Sequence, residues 1–179
     1  MVAPTPVSAL LHAVAVVKVG VFSIIKVLVY IFGLDILLGL FSVNFMIYIC
    51  GFTIITTSVI ALKQDNLKKL LAYSTISQLS YVVIAILILT PSAIIAASMH
   101  LVAHAVSKIT LFFAAGAIYS STGYTKISEM DGIGKNLKVV SIAFTLGAMS
   151  LVGIPLLVGF TSKWYIVQSS VEVGQWFIL

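Results

Sequence analysis

Between Asp35 and Lys63 the chain carries no charged side chain, and the apolar segment 42–62 inside that interval is long enough to cross a bilayer. A span through the hydrocarbon needs about 20 mostly apolar residues in helical conformation. Several such runs follow one another along the 179 residues. Within lipid every backbone polar group must find its partner inside the protein, so these runs are expected to be helices. Composition agrees: 61% of residues are hydrophobic, 8% are charged and the mean hydropathy is +1.20. An ordinary soluble domain has about 25% charged residues. The expected fold is all-α, a polytopic transmembrane helix bundle forming one domain over residues 1–179.

Five spans are expected, at 6–32, 42–62, 70–89, 92–119 and 139–171. Pro6 suits the first turn of a helix and Gly33 punctuates the end of the first span. No cleavable signal peptide is expected, because no basic stretch precedes the first apolar run. The most hydrophilic patch is Lys63-Gln-Asp-Asn-Leu-Lys-Lys69, and the segment 120–137 is a glycine-containing linker of mixed charge. The last span is interrupted by Gly153-Ile-Pro-Leu-Leu-Val-Gly159, where Pro155 lacks a backbone donor and the glycines weaken the helix. Lys163 lies just past this break. Two readings stand side by side. Discontinuous helices build ion sites in transporters. A packing kink with a snorkelling lysine beside Trp164 and Tyr165 is the plainer alternative.

Lysine placement orients the chain. All ten basic residues are lysines. Lys63, Lys68 and Lys69 lie in one loop, and Lys126, Lys135 and Lys138 belong to another two spans later. The positive-inside rule puts both loops, and with them the N-terminus, in the cytoplasm.

Within the apolar run after Met99, His100, His104 and Lys108 recur every fourth residue. A step of four turns a helix by only about 40° beyond a full turn, so the three form one stripe roughly 12 Å long. Lys18 is likewise embedded in an apolar segment. A lysine at the centre of a membrane helix costs about 2.5–3.5 kcal/mol. Burial disfavours the charged form of any lysine, which brings proton exchange within reach, and histidine titrates near neutrality unaided. Lys18, His100, His104, Lys108 and Lys163 are therefore the candidate proton relay. Ser74, Ser77, Gln78 and Tyr81 recur at three- and four-residue spacing as supporting hydrogen-bonding groups, with His12 near the chain start. Either histidine alone is most simply a satisfied core residue; the whole row favours a relay.

Other chemistries find little footing. Histidines four residues apart suit zinc, but no carboxylate lies within the expected spans to complete a metal centre. Cys50 is the single cysteine, which leaves no thiolate set for an iron–sulfur cluster. Asp131-Gly-Ile-Gly134 is a fragment of a phosphate-cradling pattern with no preceding strand. No metal and no cofactor are expected.

Four motifs occur in an order that resembles a known family. They are Ala3-Pro-Thr-Pro-Val-Ser-Ala-Leu-Leu-His12, Leu70-Leu-Ala-Tyr-Ser-Thr-Ile-Ser-Gln78, the His100, His104 and Lys108 row, and Gly159-Phe-Thr-Ser-Lys163. Together they resemble the antiporter-like membrane subunits shared by respiratory complex I, Mrp-type sodium/proton antiporters and membrane-bound hydrogenases. The segment His12-Ala-Val-Ala-Val-Val-Lys18 is nearest in flavour to the Mrp D subunit. The resemblance implies that the five spans correspond to the family's eighth to twelfth, part of an inverted-repeat fold. Lys18 then resembles the central basic residue of the eighth, His100, His104 and Lys108 the relay of the eleventh, and Lys163 the lysine of the broken twelfth. His12 matches the histidine of the family's Ser-Ala-Leu-Leu-His motif.

The resemblance also implies a multi-pass subunit of the inner (plasma) membrane that translocates protons, or exchanges sodium for protons, inside a larger assembly. It would hold no catalytic residues of its own and be at most part of an oxidoreductase complex. The family's paired glutamate and lysine fall on helices that would precede Met1. The expected partners are other membrane subunits, with a separate polypeptide or a longer parent chain supplying that pair. A scaffold bundle, whose buried lysines only pair with neighbouring subunits, is the alternative.

Overall fold

A computed structural model describes residues 7, 9, 11 and 15–178. His12 and most of the chain before Val16 lie outside the described residues. The helices are α1 (Val16–Lys26), which continues as a π-helix over Val27–Phe32, then α2 (Leu34–Leu37), α3 (Phe41–Leu62) and α4 (Leu67–Leu87). They are followed by α5 (Pro91–Thr122), α6 (Ile133–Asn136), α7 (Lys138–Val152) and α8 (Val158–Val173). Among the described residues α3, α4 and α5 are each long and apolar enough to cross a membrane. The α-helical architecture and the broken last span are as the sequence implied, with α7 and α8 as the two halves of that span.

Helix ends follow local chemistry. Asn66 caps α4 by accepting from the Lys69 backbone N–H at 3.2 Å, so α4 begins three residues before the expected 70. Thr90 caps α5 by accepting from Ala93 N–H, and Pro91 fills the first turn, where its missing donor costs nothing. Gly123 ends α5 in the left-handed region at φ 74°, donating back to Tyr119. The 120–137 linker is more ordered than its composition suggests, holding a 3-10 turn at Ile127–Glu129 as well as α6.

The helix carrying the histidines is the central one. α5 packs against α4, α7 and α8. Lipid removes the hydrophobic drive for helices to associate, so close packing and interhelical hydrogen bonds must hold them. Small residues on α5 serve that end: Ala93, Ala96, Ala97, Ala103, Ala114 and Ala115 are all buried. α1 lies on α4, with Val21 and Ile25 joining Leu79, Val82 and Ile86 in one cluster. Outward faces are apolar, as on α3, where Phe41, Phe52 and Leu62 are largely exposed.

The two lysine-rich loops dock on each other. Leu67 N–H donates to Thr125 O at 3.1 Å and Ile127 N–H to Asp65 O at 2.7 Å. The Asp65 carboxylate accepts from Ser128 N–H at 3.0 Å and from the Ser128 hydroxyl at 2.9 Å. Both loops therefore sit at one end of the bundle, as the span count requires.

Candidate functional site

The site begins at the break in the last span. α7 ends at Gly153, whose φ of 91° only glycine adopts without strain, and α8 begins five residues later. The two half-helices then overlap side by side. A Cβ on Gly159 would collide with the Ser150 backbone carbonyl, so glycine is required there for the approach. The last carbonyls of α7 have no helical donor. Lys163, reaching back from α8, donates to Leu151 O at 2.7 Å and Val152 O at 3.2 Å. Its ammonium thus caps the negative end of the α7 dipole. The Tyr81 ring of α4 lies beneath it, 5.4 Å from Nζ to centroid.

The stripe on α5 reaches this junction at its His100 end. Lys108, fully buried, donates to the Leu71 carbonyl of α4 at 2.9 Å and to the Ser74 hydroxyl. His104 is one turn away and equally buried. His100 follows, its ring 6.4 Å from that of His104 and tilted by 24°. His100 Nδ1 is 2.9 Å from the Ser162 hydroxyl, which also donates to Gly159 O at 3.0 Å. The His100 and Tyr81 rings are 6.4 Å apart. A further hydroxyl pair, Ser107 to Ser150 at 2.9 Å, ties α5 to the last turn of α7.

Lys18, on α1, is buried where that helix lies on α4. Among the described residues, Lys18 Nζ, Gln78 Oε1, His100 Nε2 and both ring nitrogens of His104 have no hydrogen-bond partner. Buried polar atoms are normally paired, and exceptions concentrate where a site needs a group free to exchange protons or hold water. Among the described residues the hydrogen-bond partners of Lys108 and Lys163 are carbonyls and the Ser74 hydroxyl.

The structure thus brings together His100, His104, Lys108, Lys163, Ser74 and Tyr81, with Lys18 buried on α1 and Gln78 half-buried on α4. It separates Ser77 from them. That hydroxyl pairs with Ser58 of α3 at 3.0 Å, on another side of α4. A three-residue step from Ser74 turns the helix about 60° short of a full turn, which is enough to change neighbours. His12 lies outside the described residues. Ser162, Ser107, Ser150 and the Leu71 carbonyl are members that sequence reasoning passed over. Only Ser162 had a signal, its place beside Lys163.

A protein family described as the transmembrane part of NADH:quinone oxidoreductase and Mrp antiporters matches residues 1–179. Relatives include NADH-quinone oxidoreductase subunit N of Desulforudis audaxviator, 32% identical over 97% of this chain and 34% of its own length. Subunit L from Buchnera aphidicola is 39% identical over 97% of this chain and 27% of its own length. The chain therefore spans about a quarter to a third of the curated relatives it matches. Among solved structures, the Mrp complex from Dietzia sp. DQ12-45-1b superposes at a TM-score of 0.90, with 25% identity, covering 97% of this chain and 32% of that one. A chain of the archaeal membrane-bound sulfane sulfur reductase superposes at 0.80 with 28% identity, covering 94% of this chain and 34% of that one.

Proposed function

The chain belongs to the NADH:quinone oxidoreductase/Mrp antiporter transmembrane family, and we propose that its share of the parent activity is to carry protons along the row Lys18, Lys108, His104, His100 and Lys163. The observation behind this reading is the unpaired His104, buried between Lys108 and His100 with both ring nitrogens free among the described residues. A structural histidine would be hydrogen-bonded.

Proximity supplies the means of transfer. Two unit charges about 6.4 Å apart, as the His100 and His104 rings are, repel by roughly 2–3 kcal/mol at an effective dielectric of about 20. A proton arriving at one member therefore favours departure of a proton from the next. Ser74 and Ser162 are hydroxyls that both donate and accept, so they can hand a proton on without holding charge. The Tyr81 ring lies against both His100 and Lys163, and Gln78 and His12 belong to the reading through their motifs.

The partners in this reading are other membrane subunits, one part of the assembly supplying a glutamate–lysine pair whose charge biases the row. The assembly would lie in the inner membrane with the lysine-rich loops in the cytoplasm. Sodium-for-proton exchange is the finer version, favoured by the likeness to the Mrp complex. Sodium dependence of transport in vesicles tests it.

Replacing Lys108 with Met in the full assembly tests the row. Proton uptake into vesicles should be lost while the assembly forms normally; unchanged uptake would overturn the reading. A scaffold role draws support from the lysine–carbonyl bonds of Lys108 and Lys163. It predicts loss of assembly before any loss of transport.

A further inference from the structure

α5 and α8 run antiparallel with two polar registers between them. The first is His100 with Ser162. The second lies seven residues further along α8, about 10.5 Å by helical rise. There Ser169 is completely buried and its hydroxyl is 2.9 Å from that of Ser92. Ser92 in turn donates to the Glu172 carboxylate at 3.4 Å and lies 3.2 Å from the Thr90 hydroxyl. Gln168 donates to the other carboxylate oxygen at 3.3 Å. Between the registers lies an apolar layer: Ile166 of α8 clusters with Ala93, Ala96 and Ala97 of α5, all buried.

Glu172 is poorly explained by helix stability. It sits in the last turn of α8, where the dipole favours cations and works against a carboxylate. It is exposed, while the hydroxyls behind it are not. Ser169 has two acceptors in reach, the Tyr165 carbonyl at 2.8 Å and Ser92. Turned to Tyr165 its proton closes the helix on itself. Turned to Ser92 it continues a line of hydroxyls to the carboxylate.

We propose that Glu172 is the port through which the row exchanges protons with the medium at the end of the bundle remote from the lysine-rich loops, with Ser169 and Ser92 as its inner relay and the Ile166 layer as a dry gate. This rests on the row reading. With the gate wetted, a chain of water molecules takes a proton from the His100–Lys163 end of the row and passes it to Ser169. Ser169 gives its own hydroxyl proton to Ser92, Ser92 gives its own to Glu172, and the carboxylic acid releases it to solvent. Each hydroxyl ends with the proton it received, so no charge remains inside. With the gate dry, the registers are disconnected.

The test uses the full assembly in vesicles, comparing Glu172→Gln, Glu172→Asp, Ile166→Ser and Lys108→Met, with thermal stability followed in each. Glu172→Gln should slow proton transport roughly tenfold, equivalent to about 1.4 kcal/mol on the transfer step, and Glu172→Asp should restore most of it. Ile166→Ser should raise passive proton leak in the absence of driving substrate. If Lys108→Met abolishes transport but Glu172→Gln does not slow it, the port is wrong and the row stands. If neither variant affects transport, the row itself fails. A fall in stability with Glu172→Gln and no change in rate would leave Glu172 as a surface hydrogen-bonding residue and overturn the port. Unchanged leak in a folded Ile166→Ser assembly would overturn the gate.

Discussion

Lys163 Nζ lies 2.7 Å from the carbonyl oxygen of Leu151, which belongs to the half-helix on the far side of the break. One side chain therefore closes the end of α7 and stands over Tyr81 beside the histidine row. The broken helix and the titratable row are parts of a single arrangement.

Replacing Lys163 with Met should leave the Leu151 and Val152 carbonyls without their donor. The part-buried Leu151 bond carries most of the effect, since an unpaired buried acceptor costs about 1–3 kcal/mol, while the Val152 bond is exposed. A lower unfolding temperature of the purified assembly is expected, together with loss of proton transport. Arginine at this position should recover the stability but not the transport, because its guanidinium does not release a proton. Thermal melts and vesicle uptake on the same preparations separate the two effects.

Gly159→Ala should be more damaging than its size suggests. The added methyl meets the Ser150 backbone, which cannot swing aside as a side chain would. Overpacking of this kind costs about 1–3 kcal/mol. The Ser107–Ser150 bond and the Lys163 cap should loosen with it. Gly20→Ala is the comparison: it sits inside α1 with nothing near its added Cβ. That change should be neutral or stabilising, by up to about 1 kcal/mol. Paired melting curves decide it.

Ser74→Ala and Ser77→Ala should part company although three residues separate them. Ser74 takes a hydrogen bond from Lys108, so its loss should slow proton transport several-fold. Ser77 is paired with Ser58 on the α3 side, and its loss should leave the rate unchanged. Equal effects of the two substitutions on uptake would count against the assignment of the row.

The loop clasp should weaken in acid. Asp65 is held below its ordinary carboxylate pKa, chiefly by the Ser128 backbone N–H and then by the Ser128 hydroxyl, with Lys126 and the Ile127 N–H adding to it. A carboxylate with a depressed folded-state pKa stabilises the fold above its unfolded value, about 3.9. That contribution fades as pH falls from there through the folded-state pKa. The hydrogen-exchange protection of the Ser128 amide, measured against reference loop amides, should therefore fall as pH is lowered through this window. In Asp65→Asn the extra acid dependence should disappear.

Much of the fold was legible because lipid is an undemanding reader of sequence. Long uncharged runs admit few structures, and Pro91, Gly123, Gly153 and Pro155 mark where helices start, stop or break through backbone geometry alone. The four-residue spacing of His100, His104 and Lys108 likewise determined that they share one face of a helix. Spacing along a helix says nothing about what lies opposite. Only packing decided that Ser74 meets Lys108 while Ser77 turns to Ser58. The same packing set Ser162 on His100 and left His104 unpaired among the described residues. Lys163 shows the division most clearly. From sequence it was equally a snorkelling residue or part of an ion site, because both put a lysine after a break. What the fold decided is that Lys163 caps α7, through a close approach of two half-helices that only a glycine at 159 is small enough to permit. Such a contact depends on distances between segments far apart in the chain, which no local pattern encodes.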